Sequence, residues 1–532
     1  MGQIRLLDCT LRDGGYINDW NFGHDTIVSI FERIVEAGVD IIEVGFLDDR
    51  RIFDMNRSIF PDTESVQKIY GDLDRKNTMV VGMIDYGTCD IKNIQPAKDS
   101  YLDGIRVIFK KAKREAAMDY CCQLKELGYI VFSQLVSVTS YEDNEMMDLI
   151  RLANEVKPYA VSMVDTYGLM HQNNLLHYFD LLNQHLDPEI QIGYHGHNNF
   201  QMGYANAIAF LEKSKHIERG LVVDGTLYGM GKSAGNGPIE LISMHMNERY
   251  GTHYDVPELL EAIQVNVLPL QQEPTWGYNL FFFIAAYNDS HPTYVKDLMD
   301  MRSLSIKQIN EILSRLQGEK KLLYDGECLQ DIFRDYLSND INDDAAVEAL
   351  SQELADKEVL LLGPGTTMVS EHDKVADYIA KNQPVVISVN YLPEAENIDY
   401  LFLSNSKRYV QLATKLTRNN QKIIATSNVE SLSRPFDYQL NVVKLLDKEA
   451  KFIDNSLMMS VKALVGMGVK KLTLAGFDGY ERDRSNYFDS SKEYEYAREQ
   501  AEYLNNYISE FLKNNTAGCD VEFVTSTKYQ YK

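Results

Sequence analysis

The chain has 532 residues, of which 45% are hydrophobic and 25% charged, and 53 Lys and Arg against 78 Asp and Glu give a formal net charge of -25. Such proportions belong to a globular protein of about three domains and exclude wholesale disorder, collagen and coiled coil. The acidity argues against partners such as nucleic acid or an anionic membrane surface, while small anionic ligands need only a local cationic pocket.

Short apolar runs at 4–7, 41–45, 79–84, 104–108, 130–136, 160–164, 190–194 and 221–224 read as strands. Amphipathic stretches at 26–37, 116–127, 144–156 and 204–213 read as helices between them. Strands alternating with helices predict an α/β fold, a parallel (β/α)8 TIM barrel over residues 1–255, with an open doubly wound sheet as the competing reading. From 256 to 354 the strand signal fades, and helical spacing at 306–316 and 345–355 predicts a helical extension ending in a linker near 350. Over 355–532 the α/β pattern returns, with strands expected at 359–362, 385–390, 400–403, 422–425 and 471–475 and helices at 374–381 and 456–467. This predicts a separate Rossmann-like domain. Six cysteines without CxxC spacing and an N-terminus without an apolar signal core predict free thiols in a cytoplasmic protein.

The chemistry-bearing motifs fall at the ends of the expected strands. Asp8-Cys-Thr-Leu-Arg12-Asp13-Gly-Gly15 follows the first strand, and Glu43 lies in the second. Asp165-Thr166-Tyr-Gly168 follows the sixth, His195-Gly-His197 the seventh, and a glycine-rich segment from Asp224 to Asn236 the eighth. In a parallel barrel these carboxyl ends converge on one face. Histidines at i and i+2 on an extended segment point the same way. Two imidazoles and a carboxylate suit a divalent ion, and Arg12 adds a fixed positive charge for a developing oxyanion. Taken singly, each motif also has an ordinary reading: partly buried histidines, a turn at Arg12-Asp13, a helix cap at Asp165, a solvated Glu43.

Together, DCTLRDGG, IIEVGF, DTYG, HGHNN and GMGKSAGNGP resemble the DRE-TIM metallolyases, over roughly residues 1–290. That superfamily includes 3-hydroxy-3-methylglutaryl-CoA lyase, isopropylmalate and homocitrate synthases and 4-hydroxy-2-oxovalerate aldolase. The resemblance implies a divalent metal (Mn2+ or Mg2+, with Co2+ or Zn2+ as alternatives) held by Asp13, His195 and His197, with Asn236 as a further ligand. It implies that Arg12 stabilises an enolate oxygen and that Glu43 orients Arg12. Asp165, Thr166 and Thr139 are candidate substrate contacts. After Asp13 this chain reads Gly14-Gly15-Tyr16, whereas acyl-CoA-condensing members tend to read DGEQ. Tyr16 stands where the similar aldolases carry histidine, so it is either a proton shuttle or a packing residue.

In the last third, Gly363-Pro-Gly365-Thr366-Thr367 follows a strand and offers amides and hydroxyls to a phosphate. Asn390, Ser404, Asn405 and Asp478 lie after other strands, where α/β sheets place their ligands. A structural turn and a cap at Asp478 are the ordinary alternatives. This half loosely resembles the Rossmann-like family of 6-hydroxymethylpterin pyrophosphokinase-type and motility-associated glycosyltransferase-type proteins, which implies a nucleotide or phosphosugar ligand.

The combined expectation is a bifunctional, homo-oligomeric (dimeric) enzyme. The barrel would be an aldolase joining or parting pyruvate, or a related 2-oxo acid, and an aldehyde such as a sugar aldehyde. The C-terminal domain would handle a nucleotide or phosphosugar, with surface-polysaccharide sugar synthesis as the setting. Rivals are a glycosyl- or phosphotransferase carrying a scaffold barrel, and an acyl-CoA lyase or synthase.

Overall fold

Eight strands follow one another with helices between: β1 (Ile4–Asp8), β2 (Ile41–Leu47), β3 (Met79–Asp85), β4 (Gly104–Phe109), β5 (Ile130–Leu135), β6 (Ala160–Asp165), β7 (Gln191–Gly196) and β8 (Leu221–Gly225). Each pairs in parallel with its neighbours, and β1 pairs with both β8 and β2, which closes the ring. That closure is the expected barrel and removes the open-sheet alternative. A two-residue strand, Ile59–Phe60, adds to β2. The barrel strands read as continuous apolar runs because helices cover them on one side and the packed interior on the other; all seven residues of β2 are buried. The first long helix, His24–Glu36, shows the matching period, burying Ile27, Ile30, Phe31 and Ile34.

This computed structural model describes residues 2–271, 276–300, 304, 306–337, 341–416, 421–431, 435–447, 455–490, 493 and 495–530. The chain forms two compact units, Met1–Pro292 and Thr293–Lys532. The helices between 256 and 354 are divided between them. Val256–Ala262 and Leu280–Tyr287 lie in the first unit, and Ile306–Leu313, Gly326–Leu337 and Asp344–Leu354 in the second. The last agrees with the helical spacing at 345–355.

The second unit carries a parallel sheet of β9 (Glu358–Leu362), β10 (Val385–Val389), β11 (Tyr400–Leu403), β12 (Lys422–Thr426), β13 (Tyr438–Leu440), β14 (Lys471–Ala475) and β15 (Asp520–Phe523). Their order is β13-β12-β11-β10-β9-β14-β15. The chain winds outward from β9 to β13, then returns to the other side of β9. Such a reversal leaves a crevice at the carboxyl ends of β9 and β14. The edge strands β13 and β15 were not expected from the sequence. They are short and only partly buried, so they lack a continuous apolar run.

Candidate metal centre and active site

The chain leaves β1 through a single helical turn, Thr10–Asp13, whose four residues are all buried. This turn brings Arg12 and Asp13 to the carboxyl mouth of the barrel. Arg12 Nε donates to Glu43 Oε2 at 2.6 Å, and its Nη1 donates to Asp13 Oδ2. Arg12 Nη2 makes no hydrogen bond with any described residue. Glu43 is fully buried and also faces Arg106 Nη1 at 3.1 Å.

His195 lies in β7 and His197 just beyond it. Their Nε2 atoms lie 3.5 and 3.9 Å from Asp13 Oδ2. His195 Nδ1 faces Asp224 Oδ2 at 3.0 Å, and His197 Nδ1 faces the Lys232 carbonyl at 3.1 Å. An acceptor at each Nδ1 keeps the ring proton there and leaves the Nε2 lone pair for a metal.

These residues fit a divalent ion. Asp13, His195 and His197 each offer a ligand atom, all within 4.8 Å of one another. Asn236 donates through Nδ2 to Asp13 Oδ1 at 3.0 Å and to the Met230 carbonyl at 3.2 Å. Its Oδ1 is buried and accepts nothing. An orphaned acceptor beside two imidazoles and a carboxylate is what a cation would satisfy. The glycine-rich loop after β8 is explained by the same crowding. A Cβ on Gly231 would lie 2.0 Å from Asn236 Nδ2 and 2.6 Å from Asp13 Oδ1.

The charges are tuned by their neighbours. Burial opposes ionisation of Asp13, but Arg12 and the two histidines overcome it and hold the carboxyl well below its usual range. Burial likewise opposes a charged His195, yet its contacts with Asp13 and Asp224 raise it above an ordinary imidazole. Burial pushes His197 down to about 3, so it is neutral across the useful pH range. The sign for metal binding follows. A metal must displace a proton from His195, which holds it more tightly than an ordinary imidazole, so affinity should fall as pH drops, beginning at a higher pH than an unperturbed histidine would give. Mn2+ titrations at a series of pH values check this, and His197 should add no second step. Asp224→Asn should weaken the same binding by about 10–100-fold, because Asp224 fixes the ring of a ligand.

Of the other expected contacts, Thr166 lines the cleft with Arg12, Asp13 and the histidines, and its hydroxyl accepts the Ser137 amide at 2.8 Å. Tyr16 lines it too, and desolvation followed by Asp13 raises its phenol above the ordinary value. Two others are placed differently. The Asp165 carboxylate accepts the amides of Leu169 and Met170, at 2.8 and 3.0 Å, and so caps the turn after β6. Burial pushes it up to about 7. Thr139 lies in the short helix Val138–Ser140 and is not part of the cleft lining.

The sequence reading passed over Arg106. It is fully buried, and its Nη2 donates to Asp224 and to Gln134 Oε1, the latter at 3.1 Å. The signal was there: a lone arginine inside the apolar run of β4 is a buried charge, which requires partners.

In the second unit the glycine loop is filled from within. Thr366 Oγ1 and the Thr367 amide donate to Asp478 Oδ2 at 3.0 and 2.9 Å, and the Thr367 hydroxyl donates to Oδ1. A Cβ on Gly365 would lie 2.4 Å from that carboxylate. At the expected phosphate cradle, the Gly363 and Gly365 amides donate to the carbonyls of Ala475 and Gly476, both at 2.8 Å, and the Thr366 and Thr367 donors serve Asp478, which caps the turn. Asn390, in the left-handed region at φ 58, donates to Ser404 Oγ at 3.0 Å and Ser456 Oγ at 2.7 Å. Asn405 instead caps the helix Ser406–Leu416 through the Lys407 amide at 2.9 Å.

A closed parallel barrel with a buried Asp-His-His set and an adjacent arginine at its mouth defines a divalent-metal-dependent carbon–carbon lyase. Residues 3–265 match the HMGL-like family model, and this domain belongs to the DRE-TIM metallolyase superfamily. Among its relatives, 4-hydroxy-2-oxovalerate aldolase of Pseudoalteromonas translucida is 23% identical over 276 residues, 51% of this chain and 78% of that one. The 4-hydroxy-2-oxovalerate aldolase 6 of Rhodococcus jostii is 24% identical over 270 residues, 50% of this chain and 74% of that one. The N-terminal domain of a putative aldolase from Bacteroides vulgatus has 23% identity and a TM-score of 0.47, covering 57% of this chain and 98% of that one. Among the described residues no helix is long and apolar enough to cross a membrane.

Proposed function

We propose that the barrel is a pyruvate aldolase, joining pyruvate or a related 2-oxo acid to an aldehyde, or cleaving the 4-hydroxy-2-oxo acid that results. The observation that carries this reading is Arg12: its guanidinium is fixed by Glu43 and Asp13, and Nη2 is left unengaged beside the metal ligands. When bound, a divalent ion, Mn2+ or Mg2+, supplies Lewis-acid polarisation of the 2-oxo acid's oxygens. Transfer of a methyl proton from pyruvate to solvent water leaves an enolate, whose oxygen Arg12 Nη2 would face. The enolate carbon attacks the aldehyde carbon, forming the new bond. The aldehyde oxygen takes a proton from the Tyr16 hydroxyl, which solvent restores. A raised phenol stays protonated at neutral pH, so Tyr16 suits this donor role and not that of a base in the synthetic direction. Gly15 and Tyr16 stand where the condensing enzymes read Glu and Gln, which speaks against the acyl-CoA reading.

The test is exchange of the pyruvate methyl protons for deuterium, followed by NMR with Mn2+ and with EDTA as control. Metal-dependent exchange is the expected result, and its absence from the wild type would sink the pyruvate reading.

We also keep a bifunctional reading, in a cytoplasmic homo-oligomer serving polysaccharide-sugar synthesis. It is favoured by the parallel sheet of the second unit, whose winding reverses between β9 and β14. The Asp478 cap opposes phosphate binding at the glycine loop itself. A nucleotide or phosphosugar would therefore have to use the Asn390 and Ser404 side of the sheet. Thermal shifts with a panel of nucleotides would test this, and no shift with any of them would remove it.

A further inference from the structure

The cleft beside the metal ligands holds a second cation that the reaction described above does not use. Lys232 lies in the loop after β8 and lines the cleft together with Arg12, Tyr16 and Thr166. Its backbone is tied to the metal residues on both sides. The amide donates to Asp13 Oδ1 at 2.9 Å, and the carbonyl accepts from His197 Nδ1 at 3.1 Å. The position of its side chain is therefore set within one residue of the metal centre. The ammonium sits between two aromatic rings, with Nζ 5.4 Å from the Tyr16 centroid and 5.5 Å from that of Tyr167. These rings come from the loops after β1 and β6, so three loops fix one cation at the mouth. Aromatic faces attract a cation without neutralising it. Among the described residues Lys232 Nζ makes no hydrogen bond or ion pair. The nearby Asp13 carboxylate is already committed to Arg12, Asn236 and the Lys232 amide. A partly desolvated ammonium without a carboxylate, facing a ligand cleft, is complementary to an anion on the ligand.

Pyruvate brings one carboxylate, and the metal centre and Arg12 already supply cationic charge for it. We propose that Lys232 is a specificity residue that binds an oxyanion, carboxylate or phosphate, carried by the acceptor aldehyde. The inference rests on the pyruvate-aldolase reading, and it narrows the second substrate from any aldehyde to an anionic one.

The test uses the full chain with Mn2+ and two matched pairs of aldehydes. Succinic semialdehyde against butanal probes a carboxylate, and glyceraldehyde 3-phosphate against glyceraldehyde probes a phosphate. Aldol addition of pyruvate is followed for the wild type, Lys232→Met and Lys232→Arg. The wild type should favour the charged member of one pair by about 10–100-fold in kcat/KM, the range of a charge-assisted hydrogen bond. Lys232→Met should abolish that preference, and Lys232→Arg should restore part of it. Because the readout is a ratio within one variant, general damage to the fold cancels. Which pair shows the preference identifies the oxyanion. An unchanged ratio in Lys232→Met, or no preference in the wild type for either pair, overturns the proposal. So does a rise in the pyruvate KM for methyl exchange that matches the loss, since Lys232 would then be holding pyruvate. Absence of methyl exchange in the wild type is a separate outcome, which removes the aldolase reading and this inference with it.

Discussion

Arg12→Ala should slow pyruvate methyl exchange by about 10²–10³-fold, the usual cost of removing one preorganised oxyanion donor. Metal binding separates this loss from simple collapse of the site. Arg12 is not a ligand, and its charge opposes a cation beside Asp13, so a Mn2+ titration of the variant should still show a filled site. Arg12→Lys should recover little. A point charge cannot reach Glu43, Asp13 and an enolate at once, as the planar fork does. Exchange that survives Arg12→Ala within tenfold would mean that the enolate oxygen is stabilised elsewhere.

The second large effect is on stability. Arg106→Met should cost about 3–5 kcal/mol, the range for removing one partner of a buried ion pair. Arg106 is fully buried and stands between Glu43 and Asp224, which are buried as well. Each carboxylate keeps one other partner, Arg12 or His195, but the charge of the set no longer balances. The measurement is convenient because both tryptophans, Trp20 and Trp276, lie in the unit Met1–Pro292. Their fluorescence during urea unfolding therefore reports the barrel alone. Adding Asp224→Asn to Arg106→Met should cost less than the two single changes summed, since it removes the charge left behind. Strict additivity would mean that the two residues are not coupled.

Arg106 and Lys232 show where reading the sequence runs out. Both stand in segments that the sequence marks clearly, the apolar run of β4 and the glycine-rich loop after β8. Their partners, however, come from other strands and from the loops that follow them. Arg106 meets Asp224 across 118 positions, and the Lys232 amide meets Asp13 across 219. No local period reports such a pairing. Asp165 and Asp478 are ambiguous in the sequence for another reason. Each is an acidic residue after a strand, and that position serves a ligand or a cap equally well. The structure shows donors that reach each carboxylate, so both cap a turn.

By itself, the sequence determined the alternation of strand and helix, and hence the parallel α/β class of both halves, because burial on both faces leaves unbroken apolar runs. It also marked Arg12, Asp13, His195 and His197, since parallel strands carry their carboxyl-end loops to one face whatever the details of packing. Tertiary structure alone decided the rest. Closure of β1 on β2 made a barrel instead of an open sheet. The acceptors at each Nδ1 turned both imidazoles toward Asp13. In the second glycine loop the Thr366 and Thr367 donors went to Asp478, and the glycine amides to the Ala475 and Gly476 carbonyls. Each of these is a choice among partners distant in the chain, made by burial, which leaves a charged or polar atom no option but to find one.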